Sequence, residues 1–144
     1  MRTIGWRAHI MGLAIAAGAT GTALAHHSFA AEFDSSKSMR LVGTVVKFEW
    51  VNPHSWIHMD VIDPQTKVHQ LWRIEGGAPS ALLRRGWNRN SLPAGTKIIV
   101  DGFAARDKDS RASASEISFP DGRTLSLGNP NTEAAAAALK RGGN

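Results

Sequence analysis

A chain of 144 residues with 17 Lys plus Arg, 12 Asp plus Glu and no Cys has room for one domain with a core of ordinary size. The absence of Cys excludes disulfides, thiolate zinc sites, iron-sulfur clusters and Cys nucleophiles, so any metal would be held by His, carboxylate, Met or backbone groups. The formal charge of +5 is too small to argue by itself for a nucleic-acid partner.

The first 25 residues read as a secretory signal peptide. Basic Arg2 and Arg7 precede an apolar stretch from Ile10 to Ala19, and Ala23-Leu24-Ala25 supplies small residues for cleavage. That stretch is shorter than the ~20 apolar residues of a membrane-spanning helix. Cleavage after Ala25 is expected, with a periplasmic address and no transmembrane segment in the mature chain. With Arg2 and Arg7 gone, the charge falls from +5 to +3. No Cys follows the cleavage site, which excludes a lipid-modified N-terminus.

Residues 26–40 read as an N-terminal arm, in which Phe29 and Phe33 stand four apart and would dock together from a helical turn. Residues 41–128 read as the folded domain. LVGTVVKFEWVNP suits a long, curved strand with Gly43 as a bend point, and SWIHMDVID alternates Ile57, Met59 and Val61 against Trp56, His58 and Asp60. The Asp63-Pro64 turn leads back into VHQLWRIE. A short helix follows, with Pro79 in its first turn and Gly86 at its C-terminal cap. TKIIVDGF, ASEISF and RTLSL are the remaining strands, the last two joined by an Asp121-Gly122 turn. Residues 129–144 read as a flexible Ala-rich tail, a docking helix being the less favoured alternative because only Leu139 offers a large apolar group.

Three strands, one short helix and two or three more strands is the order of a mainly β, OB-like barrel of five to six strands, with the helix between strands three and four. A six-stranded open barrel and an unrelated β-sandwich are the alternatives. The motifs HHSFAAEFD, LVGTVVKFEWVNPHSWI, ALLRRGW and FPDGRTL resemble those of an uncharacterised family of small exported proteins of Gram-negative bacteria, from His26 to about Leu127. The resemblance implies export and an OB-like shape, and it assigns no role to any residue.

The candidate chemistry lies on histidines. Cleavage after Ala25 would give His26 a free α-amine beside its imidazole, the start of a copper-chelating arrangement that needs one further imidazole, from His54 or His58. Nitrogen ligands without thiolate suit copper(II) or nickel. His26, His27, His54 and His58 are therefore the candidate metal ligands and copper the candidate cofactor. The bland alternative makes them polar surface or hydrogen-bonding residues, with His69 structural. Trp56, Trp72 and Arg73 are candidate ligand-binding residues, since OB barrels present aromatic and basic side chains on the face of strands two and three. Export argues against nucleic acid, so the partner is expected to be a periplasmic protein or small ligand. Trp50 and Trp72 are expected to pack in the core and Trp87 to seal the barrel end. Glu49 and Glu75 read as solvated carboxylates. No Ser-His-Asp ordering, Gly-rich phosphate loop or HExxH motif appears, so no catalytic residue is assigned. A non-enzymatic binding or accessory module is the leading expectation, and a copper or other transition-metal protein the alternative.

Overall fold

The computed structural model describes residues 29–142. The expected signal peptide, its cleavage site, His26 and His27 lie outside the described residues.

Six strands are present among the described residues: β1 Met39–Glu49, β2 Trp56–Ile62, β3 His69–Glu75, β4 Lys97–Ala104, β5 Arg111–Ser118 and β6 Thr124–Ser126. A short helix, α1 Pro79–Leu83, lies between β3 and β4, and α2 Pro130–Gly142 ends the described chain. The sheet order is β3-β2-β1-β4-β5-β6, and a parallel pairing of β3 with β5 closes the first five strands into a barrel. This is the OB-like architecture expected from the element order, with β6 added at the edge.

Closure follows from strand curvature. The alternation in β2 turns Ile57 and Met59 inward, and both are fully buried with Val45, Ile74, Ile98, Val100 and Ile117. The bend in β1 comes from a bulge between Val45 and Lys47. Gly43 serves close approach instead: a Cβ there would lie 2.4 Å from the Asp60 carbonyl oxygen. Leu82 on α1 is fully buried and plugs one barrel end. The chain leaves α1 through Gly86 at φ +85°, where a residue without Cβ is favoured. Trp87 then packs inside at 2 % exposure, its Nε1 donating to the Ser126 carbonyl at 3.0 Å, which seals that end as expected.

Both flanks of the barrel depart from a simple domain of residues 41–128. β1 begins at Met39, and a helical turn over residues 29–32 buries Phe29 and Phe33 against Phe103, with Phe29–Phe33 centroids 5.3 Å apart. The docking expected of these two rings is thus present. Residues 130–142, expected as a flexible tail, form α2 instead and lie across β4 and β5. Ala135, Ala136 and Leu139 pack on the Phe29–Phe33–Phe103 cluster. Small Ala side chains let the helix lie close to the sheet, so one large residue is enough. Asn129 Oδ1 accepts from the amides of Asn131 and Thr132, and Pro130 occupies the first turn, an N-terminal cap that sets where α2 starts.

Candidate functional site

The β1–β2 loop contains a cis Asn52-Pro53 bond and leads into Ser55, which is fully buried. The Ser55 amide donates to the Gly77 carbonyl at 3.0 Å, its hydroxyl donates to the same oxygen at 2.9 Å, and the Gly76 amide donates back to the Ser55 carbonyl at 3.0 Å. These bonds stitch the loop to the end of β3. His54 is thereby held beside Glu75, its Nδ1 2.6 Å from Glu75 Oε1.

Glu75 corrects a sequence expectation, since it is buried and not solvated. Its backbone register places it opposite Trp56 on β2 and Ser113 on β5, on the outer face of the barrel. The start of α2 and the β1–β2 loop cover that position, leaving the side chain 7 % exposed while that of His54 is 47 % exposed. Asn129 Nδ2 reaches Glu75 Oε1 at 3.5 Å and donates to Ser113 Oγ at 3.2 Å, and Ser113 and Thr132 share a hydroxyl hydrogen bond of 2.6 Å. A buried polar chain therefore runs from the half-exposed imidazole through Glu75, Asn129 and Ser113 to Thr132. Each member has a partner, as burial demands.

Burial pushes the Glu75 carboxyl above the usual 4.5. The His54 charge pulls it back, Glu32 pushes it up and Arg111 pulls it down, so three other chain segments act on one carboxyl. Such a group holds its proton better in the folded chain than in the unfolded one. Its favourable contribution is full below the unfolded value and is lost as pH rises through the higher folded value. Wild type is therefore expected to lose stability as pH rises through the raised Glu75 value, and Glu75→Gln should flatten that decline. Urea midpoints across that rise in pH test this, and a parallel pair of profiles would contradict it.

The other two described histidines have their own carboxylates. His58 Nε2 lies 3.3 Å from Glu49 Oε2, is shielded from solvent and makes no aligned hydrogen bond. Glu49 is held below the usual carboxylate range by the Lys47 ammonium first and His58 second. His69 Nδ1 lies 2.7 Å from Asp60 Oδ2 on the neighbouring strand, as suits a structural role. His54 and His58 are thus each engaged with a different carboxylate. No group of three or more His, Asp or Glu that could hold a metal ion occurs among the described residues. What His54 does offer is an imidazole whose Nδ1 lies against a buried carboxylate, which leaves Nε2 as the available nitrogen. Metal ligands and general bases are oriented in this way.

The expected trio Trp56, Trp72 and Arg73 divides between two faces. Arg73 lies over the Trp56 ring with its guanidinium carbon 5.0 Å from the ring centroid, on the outer face. Trp72 pairs with Met59, packs against the core and donates from Nε1 to Gln70 Oε1 at 3.2 Å. Consecutive strand residues point to opposite faces, so Trp72 and Arg73 do not share one. Cross-strand register then sets Lys47, His58 and Arg73 in one outer row and Glu49, Trp56 and Glu75 in the next.

Ser113, Asn129 and Thr132 carried no functional signal in the sequence. Asn129-Pro130, a side-chain cap followed by proline, was the available cue that a helix begins there and covers the site. No helix among the described residues is long and apolar enough to cross a membrane. A model of a family of unknown function, DUF6152, matches residues 14–114. No curated protein and no solved structure matches the chain.

Proposed function

We propose that this chain, a member of the DUF6152 family, is an exported periplasmic binding or accessory module that takes its ligand on the outer β2–β3 face, beside the β1–β2 loop, without chemistry of its own. The observation that carries this reading is the juxtaposition of the Trp56–Arg73 stack with the Glu75-held imidazole of His54. An indole and guanidinium offer a flat, cationic contact, and the oriented imidazole offers a directional hydrogen bond. A closed barrel with a stitched loop presents these groups already positioned, which lowers the ordering cost of binding. Titration of isotopically labelled protein with short peptides and oligosaccharides should move the amide resonances of residues 54–58 and 72–75 first. Arg73→Ala should weaken the best of these probes by about tenfold, roughly 1.4 kcal/mol. Shifts confined to another face of the barrel would overturn the reading.

A second reading, transition-metal binding with copper preferred, is favoured by one specific feature. His54 Nδ1 lies 2.6 Å from a buried carboxylate, the outer partner that metal-bound histidines usually have. Its remaining ligands would come from His26 or His27, after cleavage behind Ala25. Calorimetry with copper(II) should then show tight binding that falls when one extra residue precedes His26 and falls again in His54→Ala. Equal binding by all three proteins removes this reading.

A further inference from the structure

The end of the barrel closed by α1 differs in composition from the rest of the molecule. Residues 76–97 contain Arg84, Arg85, Arg89 and Lys97 and no Asp or Glu, and residues 50–55 contain no Asp or Glu either. Antiparallel pairing of β1 with β2 and β4, and of β2 with β3, brings the end of β1, the start of β2, the end of β3 and the start of β4 to this one end, where the strand-end carboxylates Glu49 and Glu75 are engaged by Lys47 and His54. The acidic loop residues Asp63, Asp107 and Asp109 lie at the opposite end, in the β2–β3 and β4–β5 connections.

Side-chain contacts join the two acid-free segments. Arg89 Nη1 reaches the Trp50 carbonyl at 3.4 Å, and Phe48 packs edge-on against Trp50 and tilted against Trp87 with centroids 5.6 and 5.7 Å away. Arg85 is occupied by Glu133 at 2.6 Å. Arg84, Arg89 and Lys97 have no ion-pair partner among the described residues, as is also true of Lys67 and Lys108 at the opposite end, so what sets this end apart is that its two segments carry no Asp or Glu of their own. Beside these cations stand two exposed aliphatic side chains, Val51 at 48 % and Leu83 at 58 %, with the half-buried indole of Trp50; Ile62, Val68 and Leu71 are also exposed toward the opposite end, but there they stand beside the acidic Asp63. The hollows under α2 and beside Arg73 involve none of these residues.

We infer that this end of the barrel docks on an anionic lipid surface, with Arg84 and Arg89 meeting headgroup charge and Val51, Leu83 and Trp50 reaching the interface. Charge complementarity selects the occupant. A small ligand requires concavity, while cations ringed around a few aliphatic groups and an indole match the layered polarity of a membrane surface. Such binding is reversible and peripheral, because only two aliphatic side chains enter. It leaves the β2–β3 face free for a ligand, and it stands whether or not that face binds one.

Each cation near an anionic surface strengthens binding about fivefold at moderate salt. The chain as recovered from an exporting bacterial host should co-sediment with vesicles of phosphatidylcholine and phosphatidylglycerol, and not with phosphatidylcholine alone. Raising the salt should weaken the partitioning as the charges are screened. Arg84→Gln with Arg89→Gln should lower it about 25-fold, and Val51→Ser with Leu83→Ser about tenfold, with unchanged thermal melts. Lys67→Gln with Lys108→Gln, at the opposite end, should leave it within about twofold. Equal binding to neutral vesicles, no binding to anionic ones at low salt, or an equal loss from the opposite-end pair would overturn the proposal.

Discussion

Truncation after Gly128 is expected to lower stability by about 3–5 kcal/mol, because it uncovers Phe29, Phe33 and Phe103 and breaks the polar chain at Asn129 and Thr132. A frayed tail would be removable at no cost. The two descriptions therefore separate in one denaturation experiment, read as the urea midpoint at an unchanged slope. Removal also exposes Ser113 and the inner side of Glu75 to water, so the Glu75 carboxyl should return toward its ordinary value and His54 should lose its fixed orientation. Thr132→Val, which keeps the volume and deletes the hydroxyl that meets Ser113, should cost about 1–2 kcal/mol. A truncated chain as stable as the full one would show that α2 contributes nothing to the barrel.

Leu82→Ala is expected to cost about 3–5 kcal/mol, the loss of a fully buried leucine from a site that cannot collapse. Leu82 fills the barrel end between the strands, Trp87 and Leu92, and those groups are held by the barrel itself. Its neighbour Leu83 is 58 % exposed, and Leu83→Ala should change stability by less than about 0.5 kcal/mol. The contrast between two adjacent leucines tests which side chain is the plug. Guanidinium unfolding of both variants decides it, and comparable losses would mean that α1 is rotated from the position described.

The strand pattern was readable because alternation reports burial directly. Ile57, Met59 and Val61 alternate with Trp56, His58 and Asp60 in the sequence, and the barrel interior takes the first two of the apolar set. Pro79 and Gly86 likewise mark α1 through backbone preferences that belong to the residues themselves. At Pro130 the same kind of cue was ambiguous. A proline after a strand ends that strand, and it also suits the first turn of a helix, and only the buried Thr132 and the covered phenylalanines distinguish the two. Gly43 was similar, since a glycine in a strand indicates either a bend or a close crossing, and the bulge two residues later provides the bend.

The candidate site was visible only in part. His54 stood out as a residue of interest, and Trp56 with Arg73 as a pair, because residue type and strand position suffice for that. Glu75 looked like an ordinary strand-end carboxylate. Its burial depends on the start of α2 folding back over the end of β3 and on the Ser55 stitches that bring His54 to it, and both join residues far apart in the chain. Trp72 lies on the other face from Arg73, because strand parity separates neighbours that adjacency in sequence joins.

Length, composition and local pattern thus determined a single cysteine-free, mainly β domain with a plugging helix, since each of those properties follows from neighbouring residues. The tertiary structure alone decided that the carboxylate beside His54 is buried, that His54, His58 and His69 pair with separate carboxylates, and that the two ends of the barrel carry different charge. Those properties arise when β3, β5, the β1–β2 loop and α2 meet in space, and the distance between charges or the water excluded around them is not encoded in any one segment.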